Sequence, residues 1–220
     1  MDRIIRVTGK GKLSVKPDTI RLNISLEDIR ESYEETLKQS SSQTELLKDC
    51  FEKLGFERND LKTLYFNVDT EYESYQDRNK AWKRKFVGYK FTHRFKLDFP
   101  SDNERLGKVL YALAHCPIHP EFSIAYTVKD MEQCKNQLLG KAVADSKQKA
   151  EILTQAAGTK LGQVITIDYS WGEMEIISRP MNKMLEPCMM EDCAAGSYDM
   201  DIEPDDIDVT DTVTVVWSLE

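Results

Sequence analysis

The stretch Phe86-Val-Gly-Tyr-Lys-Phe-Thr-His-Arg-Phe-Lys-Leu-Asp-Phe99 decides the fold class. Tyr89, Phe91, His93, Phe95 and Leu97 fall on one face, and Lys90, Thr92, Arg94 and Lys96 on the other. Successive side chains of a strand point to opposite sides, so this alternation is a half-buried β-strand with a largely aromatic inner face. Upstream, Leu61 to Tyr75 reads the same way, with Leu64, Phe66 and Val68 set against Tyr65, Asn67 and Asp69. The polar segment Asp77 to Lys85 joins the two, which predicts a long hairpin over residues 61–99 with a basic tip.

Outward from the hairpin the pattern continues. Ile4 to Val15 has the β-branched content of a strand, and the turn signal Pro17-Asp18 leads into Thr19 to Leu26, with Ile20, Leu22, Ile24 and Leu26 on one face. These two predict an antiparallel pair. Gly9 and Gly11 interrupt the first strand and are expected to form a β-bulge. Ser32-Tyr-Glu-Glu35 is a capping box that opens a helix, with Leu37, Leu47, Cys50, Phe51 and Leu54 as its apolar stripe, a solvated run at Gln39 to Gln43, and Gly55 at its end. Asn103 to Ala114 is a second helix, capped by Ser101 or Asp102. Met131 to Ala157 is the longest, stopped by Gly158. Strands are expected at Glu121 to Val128, Leu161 to Trp171 and Val209 to Leu219.

The order β-β-α-β-β-α-β-α-β-β specifies an α+β fold, antiparallel sheets with helices packed on one face. We expect a single domain over residues 1–220. Its one irregular stretch, 172–208, is a Met- and Cys-containing acidic loop.

Apolar residues make up 40% of the 220 and charged residues 31%, as in globular proteins. The net charge of −8 is unevenly placed: Met184 to Glu220 holds 11 acidic residues and no Lys or Arg, so the rest carries about +3. A pI near 5.1 argues against nucleic acid as a partner, because binding phosphates needs clustered cations. No stretch approaches the roughly 20 apolar residues that span a bilayer. The opening Met-Asp-Arg-Ile-Ile-Arg-Val has no basic region, apolar core or cleavage site, which gives a cytoplasmic expectation. Five scattered cysteines, Cys50, Cys116, Cys134, Cys188 and Cys193, then read as reduced thiols.

Four motifs, in order, carry a family resemblance. They are Val7-Thr-Gly-Lys-Gly-Lys-Leu-Ser-Val-Lys-Pro-Asp18, Gly55-Phe-Glu-Arg-Asn-Asp-Leu-Lys-Thr63, Gly88-Tyr89, and Ala142 to Gly162 with Ala150, Ala156-Ala157-Gly158 and Leu161-Gly162. Together they resemble the SIMPL-domain family, which includes YggE-like proteins and periplasmic immunogenic antigens. The resemblance implies an α+β fold and self-assembly, with no agreed enzymatic activity. Two features depart from it: many relatives carry an export signal, and the acidic stretch before the last strand stands where a Pro-rich one is often found.

Candidate sites follow from local chemistry. Arg78, Lys80, Lys83, Arg84 and Lys85 surround Trp82 on the hairpin tip. They suit contact with an acidic segment such as Asp199, Asp201 and Asp205 on a neighbouring copy. Asp199-x-Asp201-x-Glu203-x-Asp205 fails as an EF-hand loop, since Pro204 and Thr210 hold the positions that need Gly and Glu. His115, Cys116 and His119 could ligate Zn²⁺ only if Cys188 or Cys193 joined them, so the metal reading is the weaker alternative. The lysines of the long helix, Lys135, Lys141, Lys147 and Lys149, read as a solvated face. With three histidines, and without a G-x-S-x-G elbow, P-loop or H-E-x-x-H, nothing indicates an enzyme, and no cofactor is expected. The sequence therefore predicts a non-enzymatic, self-associating module that also contacts a further protein partner. A small-molecule or metal-binding protein is the alternative.

Overall fold

The computed structural model describes residues 3–169, 176–178, 198 and 202–220. In chain order these form β1 (Ile4–Val15), β2 (Thr19–Arg30), α1 (Tyr33–Glu52), β3 (Lys62–Gln76), β4 (Trp82–Pro100), α2 (Asn103–Ala114), β5 (Glu121–Thr127), α3 (Met131–Ala156), β6 (Leu161–Asp168), β7 (Ile177–Ser178) and β8 (Ile207–Leu219). The class is α+β, as the alternation predicts. They divide into two compact units, one drawn from Met1–Asp18, Thr127–Ser178 and Pro204–Glu220, the other from Thr19–Tyr126 and Arg179–Glu203.

In the first unit three strands run in the order β1-β8-β6, all antiparallel. α3 packs on this sheet through Leu138, Ala142, Ser146, Ala150 and Thr154, one residue every four and all buried. Such a row is a single ridge along a helix, and its small side chains let the backbone come close to the sheet. Gly9 and Gly11 complete that approach. A Cβ on Gly9 would lie 1.9 Å from the Ala142 carbonyl oxygen, and one on Gly11 would lie 2.2 Å from that of Leu138. The expected bulge is therefore absent: β1 pairs with β8 without a break from Ile4↔Ser218 to Val15↔Ile207, and the glycines make room for a helix. Lys141 and Lys149 bend back onto the carbonyls of Lys12 and Thr8, so half of the expected solvated face caps the sheet.

The expected pairing of β1 with β2 does not form. β1 pairs with β8, and β2 pairs with β4. Pro17-Asp18 does turn the chain, but the Asp18 N–H donates to the Thr127 carbonyl and its carboxylate accepts the Lys129 N–H. The turn is thus tied to the end of β5 instead of closing a hairpin.

In the second unit the strands run β3-β4-β2-β5. Ile20, Leu22, Ile24 and Leu26 of β2 are all buried, as their alternation requires, and they join Phe91, Phe95, Leu97 and Phe99 of β4 in the core. α1 and α2 contribute Leu47, Phe51, Leu106, Val109, Leu110 and Leu113. Burying a Leu or Phe side chain fully is worth about 1.5–3 kcal/mol, so this aromatic-aliphatic layer dominates the unit's stability.

Both helices are capped as read from the sequence. Ser32 Oγ accepts the Glu35 N–H, and Asp102 takes the N-cap of α2, accepting the Glu104 and Arg105 N–H groups. At the far end of α1, Gly55 adopts φ +81° and the Phe56 N–H reaches back to the Phe51 carbonyl. This is a Schellman closure, with the Phe51 and Phe56 rings meeting edge to face. The stripe of α1 differs from expectation: Leu37 is exposed, whereas Thr36 and Ser40 are buried. Thr36 Oγ1 donates to the Ser32 carbonyl and also lies 3.2 Å from the Tyr89 carbonyl oxygen, while Ser40 Oγ lies 3.5 Å from His93 Nδ1, so these short side chains let α1 lie close to β4.

Candidate interaction surface

The basic residues and the Trp singled out for binding lie on the β3–β4 hairpin, within the second unit. Among the described residues β3 pairs with β4 alone, so its other edge is free. Pairing runs from Lys62↔Lys96 to Gln76↔Trp82 with two register shifts, one skipping Leu64 and one skipping Val87. The expected buried face of β3 is only partly realised on this edge strand: Val68 packs on the core, whereas Leu64 and Phe66 are both exposed.

The shift at Val87 matters more. One extra residue reverses which side of a strand every later side chain faces. Phe86 thereby joins the face of Tyr89, their ring centroids 5.4 Å apart, although simple alternation puts them on opposite sides. Tyr72 lies across from Phe86 at 5.6 Å, and Tyr33 of α1 meets Tyr89 at 5.6 Å. Arg84 completes the strip, its guanidinium 4.7 Å from the centre of the Tyr72 ring. Such a cation–π contact is worth about 0.5–1 kcal/mol at an exposed site. Trp82 follows on the same face at the tip, 72% exposed.

The opposite face is charged. Asp69 lies across from Lys90, Glu73 from Lys85 and Tyr75 from Lys83. Lys90 also reaches Glu27 of β2 at 2.6 Å and holds that carboxyl below the usual carboxylate range. Of the six tip residues named from the sequence, four are therefore split between the two faces, Trp82 and Arg84 on one, Lys83 and Lys85 on the other, and Arg78 and Lys80 lie in the turn.

Asp77 organises the turn that carries them. Its carboxylate accepts the Asn79 and Ala81 N–H groups at 2.8 and 3.0 Å and pairs with Lys83 at 2.9 Å. Lys83 first, then these N–H groups, hold its carboxyl below its ordinary value. Lys80 takes the left-handed conformation, φ +60°, to close the turn. Among the described residues Arg78, Lys80 and Lys85 make no ion pair.

At the base of the hairpin His93 is enclosed. Its ring lies 3.9 Å from Phe95 and 4.9 Å from Phe66, with Thr63 Oγ1 3.0 Å from Nε2 and Thr44 Oγ1 3.3 Å from Nδ1. Burial pushes its pKa down to about 4, and nearby Lys48 adds to the effect. The imidazole is a neutral part of the packing.

The remaining candidates are not brought together. Cys116 is buried, while His115 and His119 are exposed. His115 Nδ1 is 2.8 Å from the Tyr111 carbonyl oxygen, one helical turn away. Among the described residues no three His, Cys, Asp or Glu groups converge to hold a metal. Cys188, Cys193, Asp199 and Asp201 lie outside the described residues, as does most of the acidic loop 172–208. Asp205 is described and is exposed.

The aromatic members Tyr33, Tyr72, Phe86 and Tyr89 are what sequence reading missed. Their signal was present as aromatic density on both strands, but their common face depends on the shift at Val87.

The pattern of the SIMPL family, a protein of unknown function (DUF541), matches residues 5–217. The chain belongs to the SIMPL family. Two relatives within it are the 26 kDa periplasmic immunogenic proteins of Brucella melitensis biotype 1 (strain ATCC 23456 / CCUG 17765 / NCTC 10094 / 16M) and Brucella abortus (strain S19). They are 27% and 26% identical over 164 residues, which is 74% of this chain. The chain spans 65% of the length of either. Both SIMPL relatives are named as periplasmic, and this overturns the cytoplasmic expectation, which had relied on the opening residues alone. Among the described residues no helix is long and apolar enough to cross a membrane.

Proposed function

We propose that this chain, as one SIMPL module over residues 1–220, is a non-enzymatic, self-associating protein that docks through its long hairpin, and that it works in the periplasm like its named relatives. The observation that carries the reading is the free edge of β3 beside a strip of exposed Tyr72, Trp82, Arg84 and Phe86 that ends on half-buried Tyr89. A long unpaired edge tends to pair with another chain, and natural proteins cover or blunt such edges. Aromatic and Arg side chains are the commonest energetic centres of protein interfaces. The periplasmic names of the two relatives support the compartment.

A second copy meets both requirements of the surface. Its β3 edge can extend the sheet, and its acidic residues, Asp205 with Asp199 and Asp201, complement Arg78, Lys80 and Lys85 at the tip. The same surface would serve a further protein partner once the copies are apart.

Light scattering coupled to size exclusion on the full chain tests this directly. A mass of two or more copies at roughly ten micromolar is expected, since a useful self-association has a Kd near or below that concentration. A strictly monomeric mass there would remove self-association from the reading. Cell fractionation tests the compartment separately.

A further inference from the structure

The odd number of cysteines and their scatter argue against a disulfide framework when they are only counted, yet two of the five meet in the fold. Cys50 lies in the last turn of α1, half-buried, and its thiol donates to the Ala112 carbonyl in the last turn of α2 at 3.6 Å. Cys116 follows α2 by two residues and is 1% exposed. Two turn hydrogen bonds fix it there, from its own N–H to the Leu113 carbonyl and from the His119 N–H to its carbonyl. The Ala112 carbonyl lies one helical turn before Cys116, so its contact with the Cys50 thiol sets that thiol against the segment that carries Cys116. Both residues belong to the same compact unit. Cys134, the remaining described cysteine, belongs to the other.

We propose that Cys50 and Cys116 are a disulfide-forming pair, closed by a thiol–disulfide oxidant, that clips α1 to the connection between α2 and β5. Cysteines that share one helix contact can reach bonding geometry largely by side-chain rotation. The proposal rests on the periplasmic reading only for where the bond forms in the cell, because that compartment is oxidising. In vitro it stands on the pair alone.

The chemistry balances with oxidised glutathione as the oxidant. Cys50, the more accessible thiol, gives up its proton and attacks one glutathione sulfur, breaking that S–S bond and releasing one glutathione thiol. Cys116 then loses its proton and attacks Cys50 Sγ, expelling the second glutathione. Two protein thiols are oxidised to one disulfide, and one glutathione disulfide is reduced to two thiols. Burial pushes the Cys50 thiol up to about 11, with Cys116 beside it adding to the effect. The thiolate is the attacking species, so exchange in the folded chain is slow and closure is favoured during folding.

The test folds the full chain in a glutathione redox buffer, alkylates the free thiols under denaturing conditions and maps the peptides. The expected product has the Cys50 and Cys116 peptides linked within one chain, not across two chains, and a thermal midpoint several degrees above the reduced chain. Cys50→Ser should abolish the oxidant-dependent rise in midpoint. A C134S/C188S/C193S chain should still form the link, and if that variant folds poorly the peptide map of the unsubstituted chain decides which cysteines are joined. Quantitative alkylation of both Cys50 and Cys116, their capture only as glutathione adducts, or their linkage to Cys188 or Cys193 would overturn the proposal. A monomeric mass or a non-periplasmic location would count against the functional reading above and leave this link untouched.

Discussion

Gly9 of β1 lies against Ala142 of α3 so closely that a methyl group on Gly9 would sit 1.9 Å from the Ala142 carbonyl oxygen and 2.5 Å from the Ser146 amide nitrogen. These are backbone atoms, which cannot swing aside. Ser146 seals the contact by donating its hydroxyl to the Val7 carbonyl at 3.1 Å.

Gly9→Ala should therefore force α3 off the sheet. Overpacking of this kind costs about 1–3 kcal/mol, and the rigid neighbours place it at the upper end of that range. Chemical denaturation should show a lower midpoint. Gly140→Ala is the control, because nothing lies within 4 Å of a Cβ there and the change favours helix. Equal midpoints for the Gly9→Ala and unsubstituted chains would refute the close approach.

His93 makes stability depend on acid pH. Its pKa falls to about 4 in the fold, below the ordinary value of 6.5, so the folded state prefers the neutral ring. The stabilisation is complete above about pH 6.5 and is lost as pH falls toward 4, where the unfolded chain takes up the proton first. The whole difference would correspond to about 3 kcal/mol, and solvent screening at a half-buried site reduces this to about 1–2 kcal/mol. Unfolding midpoints of the unsubstituted and His93→Gln chains, compared between pH 7 and pH 4, should converge on acidification. Parallel curves would show that the ring is not desolvated.

Asp77→Ala should loosen the hairpin tip without touching the core. The Asn79 and Ala81 amides lose their acceptor, and Lys83 loses its partner. Hydrogen exchange at those two amides should quicken, while the amides of Phe95 and Leu97 keep their protection. Unchanged exchange at the tip would mean that the turn holds without the carboxylate.

Two variants separate the forces of self-association. Trp82→Ala with Phe86→Ala removes apolar area from the strip and should weaken assembly about tenfold or more, at any salt concentration. Reversing Lys83 and Lys85 to Glu should weaken it only at low salt, since exposed pairs contribute about 0–1 kcal/mol each and are screened within about 3 Å at 1 M. Sedimentation at two ionic strengths reads both effects. Indifference to the aromatic pair would exclude the strip as the contact.

The sequence by itself determined what depends on neighbours along the chain. Ser32, Gly55 and Gly158 mark helix ends because each meets unpaired backbone groups within one turn, and Ser101-Asp102 narrows the start of α2 to two neighbouring residues. The period-two runs from Ile20 to Leu26 and from Tyr89 to Leu97 fix which side chains face the core. The motifs from Val7 to Gly162 fixed the family. Tertiary structure alone decided the relationships between distant residues. Val15 finds Ile207, not β2, because Asp18 is held by Thr127 and Lys129. The spacing of Gly9 and Gly11 permits a bulge or a close approach equally, and only the arrival of Ala142 and Leu138 selects the second. Phe86 and Tyr89 share a face because the pairing skips Val87, a shift that the partner strand imposes. The Cys50 thiol reaches the Ala112 carbonyl, one turn before Cys116, for the same kind of reason: the packing of α1 against α2 is set by buried side chains on both helices, and no local spacing encodes it.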